Sequence, residues 1–226
     1  MVEFATPESR SAPIYIYDRL DEPSRGMLEE NLAAPEGGEV AVTCATRMAA
    51  VSGALGVLTA GDQIVAHQTL YGCTHSLLTS WLPRYKMCTN FCDLTKPESL
   101  AKVATKNCRV VYLETPVSPT MELIDLRAFQ QVLDRLNDGR PEPENIRIVV
   151  DNTFATPDCQ RPLQHGIDIV VHSHQGYRRI RHGDGWSGDR LRYYLIGEPA
   201  EKRDAGGRIS AATDREPLFH DACFGS

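Results

Sequence analysis

Three stretches of this 226-residue chain are apolar at every position: Val110-Val111-Tyr112-Leu113, Ile148-Val149-Val150 and Ile169-Val170-Val171. A strand with one wet face alternates apolar and polar side chains, because neighbours point to opposite sides of the sheet. Runs without that alternation suit strands covered on both faces, as in a parallel sheet. They predict strands over Cys108 to Glu114, Ile146 to Asp151 and Ile167 to His172, with two further β-rich segments at Glu39 to Ala45 and Gln63 to His67. Helix-like stretches lie between them, at Ala49 to Leu58, Thr74 to Trp81, Glu98 to Ala104 and Leu126 to Leu136. The last repeats Leu126, Phe129, Val132, Leu133 and Leu136 at helical spacing. Alternating β and α elements predict an α/β fold with a mostly parallel sheet.

The ends have a different texture. Residues 1–12 are polar and contain proline, which predicts a flexible N-terminus. Asn137 to Asn145 reads as a surface loop before a strand. From His174 onward there are eight arginines, one lysine and no sustained apolar period. The expected organisation is therefore one domain over residues 13–173 and an atypical, disordered or out-of-frame tail over 174–226, with no further buried layer in the tail.

The net charge of −6 argues against a general nucleic-acid binder, which carries a basic face. No stretch is long and apolar enough to span a bilayer, and no signal peptide opens the chain, so a cytoplasmic protein is expected. The seven cysteines sit mostly in apolar runs, where a reduced thiol behaves as a small core residue. Cys88 and Cys92 have the spacing of a metal half-site, but no second half follows, and no metal is expected.

In parallel sheets ligands bind beyond the carboxyl ends of the strands. Polar residues follow three of the predicted strands: Glu114-Thr115, Asp151-Asn152-Thr153 and His172-Ser173. Each alone reads more readily as a loop start or helix cap; together they mark a candidate site. An acid at the end of an apolar strand, such as Asp151, can keep a pyridine nitrogen protonated. Ser173 can donate to a phosphate. Tyr71, in Leu70-Tyr71-Gly72-Cys73-Thr74, can stack on a flat ring and move a proton, or simply close the edge of the core. A nicotinamide-binding domain is disfavoured because Thr46-Arg47-Met48 stands where a glycine-rich turn would be needed.

Several ordered blocks carry a more specific signal. Leu70-Tyr71-Gly72-Cys73-Thr74 is followed by Glu114-Thr115-Pro116-Val117-Ser118-Pro119-Thr120 and by Val149-Val150-Asp151-Asn152-Thr153-Phe154. Gln160-Arg161-Pro162-Leu163, Gly166 and Val170-Val171-His172-Ser173 come next, and Tyr17-Asp18-Arg19 with Glu22-Pro23-Ser24 precede them all. In this order they resemble the Cys/Met-metabolism enzymes that use pyridoxal 5′-phosphate, the transsulfuration group. That group includes methionine γ-lyases, cystathionine γ-lyases, cystathionine γ-synthases and O-acylhomoserine sulfhydrylases.

The resemblance implies the large domain of a fold-type-I, aspartate-aminotransferase-like transferase fold, with the C-terminal small domain missing. It implies a lyase or γ-synthase of cysteine and methionine metabolism and amino-acid biosynthesis. The substrate would be methionine, cystathionine or a related homoserine derivative, cleaved by γ-elimination or altered by γ-replacement. Residue by residue, it makes Tyr71 the catalytic and ring-stacking tyrosine and Asp151 the partner of the pyridine nitrogen. Ser173 becomes a phosphate ligand, with Gln175 among the cofactor contacts. Arg47 and Met48 fall in the family's Ser-Gly-Met phosphate turn, arginine standing where the family has glycine. Tyr17 and Arg19 would reach the phosphate of a neighbouring subunit, as in a dimer or homotetramer. Cys73 inclines the reading toward a methionine-type γ-lyase.

The pattern breaks after Ser173. The family continues Ala-Thr-Lys, and that lysine forms the Schiff base; here the residues are His174-Gln175-Gly176, and no lysine occurs before Lys202. Asparagine in the family's Pro-x-Asn-Pro segment is Ser118. Codons permitted for His174 to Arg181, read one base later, spell Thr-Lys-Val-Ile-Gly-Gly-Tyr-Gly. A frame shift after Ser173 is therefore the expected cause, with a catalytically inactive family member as the alternative to an active enzyme.

Overall fold

In the computed structural model, which describes residues 23–173 and 193–197, the apolar runs form inner strands of one sheet. The strands are β1 (Val40–Cys44), β2 (Gln63–His67), β3 (Cys88–Cys92), β4 (Cys108–Glu114), β5 (Arg147–Asp151), β6 (Ile169–Ser173) and β7 (Tyr193–Gly197). Their order across the sheet is β1-β7-β6-β5-β4-β2-β3. Strands β2 to β6 pair in parallel, and β7 runs antiparallel between β1 and β6. The sheet is mostly parallel, as the apolar runs require.

Successive residues of one strand feed two different cores. On one face Val111, Leu113, Ile148, Val150 and Val170 meet Leu32 and Ala33 of α1 (Pro23–Glu36), Leu100 of α4 (Ser99–Val103), and Phe129, Val132 and Leu133 of α5 (Leu126–Asn137). On the other, Val110, Tyr112, Val149, Ile169 and Val171 meet Ala50, Val51 and Ala54 of α2 (Arg47–Ala54). Leu78 joins this second core from a π-helical turn (Leu77–Trp81) that continues α3 (Gly72–Ser76). Both faces are dry, which is why the inner strands show no polar alternation.

Local signals set several boundaries. Asp125 caps α5 by accepting from the amides of Arg127 and Ala128 at 3.0 and 3.1 Å. At the other end, the Asn137 amide group pairs with the backbone of Ile146, donating at 3.1 Å and accepting at 2.8 Å. That side chain stands in for a strand neighbour and fixes where the chain re-enters the sheet. Thr46 caps α2 through the Ala49 amide, so the helix begins at Arg47, two residues earlier than its apolar pattern suggests.

Three elements differ from the sequence expectation. Helix α1 has no strong apolar stripe; it is tied down by carboxylates instead. Glu29 Oε1 accepts from both the amide and the hydroxyl of Thr43 at 2.8 Å, and Glu36 is fully buried. Strand β3 is an edge strand whose polar residues, such as Asn90, hide it from a search for apolar runs. Strand β7 lies inside the stretch read as an atypical tail without a further buried layer; it adds a strand to the sheet, pairing along its length with β1 and β6.

Phe129 is fully buried against the sheet, so Phe129→Ala should leave a cavity costing about 3–5 kcal/mol. Urea denaturation is expected to show a clearly lower midpoint for that variant. Met27→Ala, at an exposed position of α1, should stay within about 0.5 kcal/mol of the parent.

Candidate functional site

Strands β4, β5 and β6 end side by side, and three polar residues leave their carboxyl ends on the α2 face. Glu114 and Asp151 are register partners, so their side chains emerge together, and Ser173 follows two residues after the inward Val171. The segment after β2 returns over this edge, and the Tyr71 amide donates to Glu114 Oε1 at 2.9 Å. Glu114 therefore places Tyr71.

The centre of the group is Arg47, the first residue of α2. Its Nε donates to Asp151 Oδ2 at 2.9 Å and its Nη2 donates to the same oxygen at 2.5 Å. Nη2 also reaches Glu114 Oε1 at 3.4 Å. The guanidinium carbon lies 4.2 Å from the centre of the Tyr71 ring. One flat cation thus joins two strand ends and stacks on an aromatic face. The other Asp151 oxygen accepts from the Thr153 amide at 3.0 Å, which holds the carboxylate in place.

The electrostatics follow from two buried acids sharing one base. Burial and then the neighbouring charge of Asp151 push the Glu114 carboxyl up to about 7, against the pull of Arg47 and the Tyr71 amide. For Arg47, burial lowers the pKa, but Asp151, Tyr112 and Glu114 outweigh it and leave it raised, so the side chain stays charged. The Tyr112 phenol beneath is pushed well above its ordinary value, first by burial and then by the two acids. Near neutrality the Glu114 carboxyl is therefore partly protonated beside a charged guanidinium.

Of the residues expected at a site, Arg47, Tyr71 and Asp151 come together directly. Met48 is the second residue of α2 and packs on the α2-side core. Ser173 is buried at the end of β6, its amide donating to Thr153 Oγ1 at 2.8 Å. Tyr17, Arg19, Gln175 and Gly176 lie outside the described residues. Cys88 and Cys92 close opposite ends of β3, about 13 Å apart at the rise of a strand, too far for one ion. Among the described residues no group of three metal-binding side chains occurs, and no helix is long and apolar enough to cross a membrane.

A polar layer on the opposite face steadies the same edge; the sequence marks His172 and Asn152 as polar strand ends but not their pairing with Glu36 and Gln160. His172 Nε2 lies 2.5 Å from Glu36 Oε1, which also accepts from Asn152 Nδ2 at 2.9 Å. Asn152 Nδ2 reaches the Gln160 carbonyl at 2.8 Å, and Gln160 Nε2 returns to Asn152 Oδ1 at 3.0 Å and to the Thr115 carbonyl at 3.1 Å. These bonds lock the turn after Asp151 to the start of the loop after Glu114.

Comparison with known proteins agrees with this architecture. The model of the Cys/Met metabolism PLP-dependent enzyme family matches residues 2–183. An L-methionine gamma-lyase of Fusobacterium nucleatum is 43% identical over 171 residues, 75% of this chain and 41% of that protein. Cystathionine beta-lyase MetC of Bacillus subtilis is 36% identical over 159 residues, 70% of this chain and 39% of that protein. The crystal structure of cystathionine gamma-lyase from Lactobacillus plantarum complexed with L-serine superposes with a TM-score of 0.73 at 26% identity, covering 86% of this chain and 48% of that one. The chain spans about two fifths of the length of the curated relatives it matches.

The family implies pyridoxal phosphate. Asp151 and Tyr71 supply what a pyridine ring needs, an acceptor for its N–H and a face to stack on. The space between them is filled by the Arg47 guanidinium, so as folded the site does not fit the ring.

A carboxyl whose pKa is raised by folding stabilises the protein when protonated and loses that contribution as pH rises through the folded value. Stability should therefore fall between pH 4.5, the ordinary value, and about 7, where Glu114 titrates in the fold. Denaturation midpoints measured across this range are expected to show the decline in the parent and a flatter profile in Glu114→Gln, whose amide oxygen can still accept from Tyr71.

Proposed function

Because this chain belongs to the Cys/Met metabolism PLP-dependent enzyme family, we propose that its strand-end cluster is the coenzyme-ring site of a carbon–sulfur lyase. The substrate class is methionine, cystathionine or a related homoserine derivative, and the chain as written keeps the site without turning over. One observation carries the site assignment: Tyr71 and Asp151 enclose a flat, N–H-donating cation at the carboxyl edge of the sheet.

In this reading Asp151 is the acceptor that holds a ring N–H, and its second oxygen is kept in place by Thr153. Tyr71 is the catalytic residue; its ring is part-exposed and its phenol is the group at hand to hold or pass a proton. Ser173 and the start of α2, with Met48, face the phosphate side, joined by Gln175 and by Tyr17 and Arg19 from a neighbouring subunit of a cytoplasmic homotetramer. Pyridoxal phosphate would supply, only once Arg47 had left this space, the electron sink that makes bonds at an amino acid's α-carbon breakable.

Methionine is favoured among the substrates by the methionine γ-lyases that match this chain and by Cys73 directly after Tyr71-Gly72. The second reading, loss of turnover, rests on a different observation. Gly176 stands where the lysine that holds the cofactor is expected, and a glycine has no amine with which to do it. A shift of reading frame after Ser173 accounts for the change.

Purified chain incubated with pyridoxal phosphate and L-methionine or L-cystathionine is expected to release neither thiol nor 2-oxo acid. Borohydride reduction and peptide mapping should find no single stoichiometric lysine adduct. Oxo acid formed together with one such adduct would overturn the loss of turnover. Sequencing the gene across codon 173 should show a shifted frame that encodes Thr-Lys, and the product of that frame should release a thiol from methionine or cystathionine. If it acts on neither, the carbon–sulfur assignment falls.

A further inference from the structure

A protonated pyridine ring makes two demands on a site, a face to stack against and an acceptor for one N–H. A guanidinium makes the same demands: it is flat, delocalised, permanently charged and rimmed with N–H donors. Arg47 meets both from within the chain, lying 4.2 Å from the centre of the Tyr71 ring and sending two N–H groups to one Asp151 oxygen. We propose that Arg47 is a built-in occupant of the ring site, an autoinhibitory side chain that must swing out before a pyridine-based ligand can enter. The proposal rests on the reading of Tyr71 and Asp151 as the ring site, and adds to it what fills that site in the free chain.

Two features make the occupant hard to displace. Its backbone is fixed at the first turn of α2, where Thr46 caps the helix, so the guanidinium is always at hand and competes as an intramolecular ligand. Its partners are also desolvated: the side chains of Asp151 and Glu114 are each 2% exposed and that of Arg47 is 12% exposed. Removing the cation leaves two buried acids without their counter-charge, a state that is unfavourable unless another cation arrives. A pyridinium brings one, so the exchange is open to such a ligand and closed to a neutral ring. The affinity that is observed is reduced by the fraction of molecules in which Arg47 has left.

Pyridoxine 5′-phosphate is the suitable probe, since it carries ring and phosphate but no aldehyde and cannot label lysines. Equilibrium dialysis on the full chain is expected to show Arg47→Gly binding it at least tenfold more tightly than the parent, with Arg47→Ser as a milder second variant that gains in the same direction. A double-mutant cycle between Arg47→Met and Asp151→Asn, read by urea denaturation without ligand, should show at least a tenfold coupling in the unfolding equilibrium. Equal binding by parent and variants overturns the occupant, and so does absence of coupling; neither touches the ring-site reading. Strong coupling with no binding by any form overturns the ring site itself, and the occupant with it.

Discussion

The constraint on which the rest depends is the parallel register of β4 and β5. Parallel strands bring their carboxyl ends to one edge, and pairing Glu114 with Asp151 sends both acids to the same face. A slip of one residue would turn one of them to the opposite core. With the register as it is, two carboxylates leave adjacent strands into a nearly dry space. Such an arrangement calls for a cation, and Arg47 supplies it.

Polarity in this fold is gathered where strands end. The middle of the sheet is apolar on both faces, whereas its carboxyl edge carries a bonded polar cluster on each side. On the α2 side these are Arg47, Glu114, Asp151 and Tyr71; on the α1 side, Glu36, His172, Asn152 and Gln160. Buried polar groups are tolerated only when hydrogen-bonded, so each cluster also fixes the geometry of its loops. The second cluster holds the backbone from which Asp151 projects, and through Glu36 it ties the end of α1 to the same edge.

Two residues depart from the family pattern. On the proposed reading, Gly176 lacks the amine that would hold the cofactor covalently, and Arg47 occupies the ring site beside Tyr71. With arginine at position 47, Asp151 finds its counter-charge within the chain.

Much of the fold was legible in the sequence because its signals are local. Apolar runs over 110–113, 148–150 and 169–171 identified strands covered on both sides, and the spacing of Leu126, Phe129, Val132 and Leu133 identified α5. Asp151 and Tyr71 could be singled out because a polar residue ending an apolar strand and an aromatic opening a helix are recognisable where they stand. What only the tertiary structure decided were the pairings of residues far apart in the chain. Arg47 reaches across 104 positions to Asp151, and Glu36 across 136 to His172. Helix α1 and strand β3 stayed hidden because a carboxylate tether and a polar edge strand leave no periodic trace. An arginine in a turn reads the same whether its side chain points to water or to a buried acid; the packing of α2 against the sheet turned it inward.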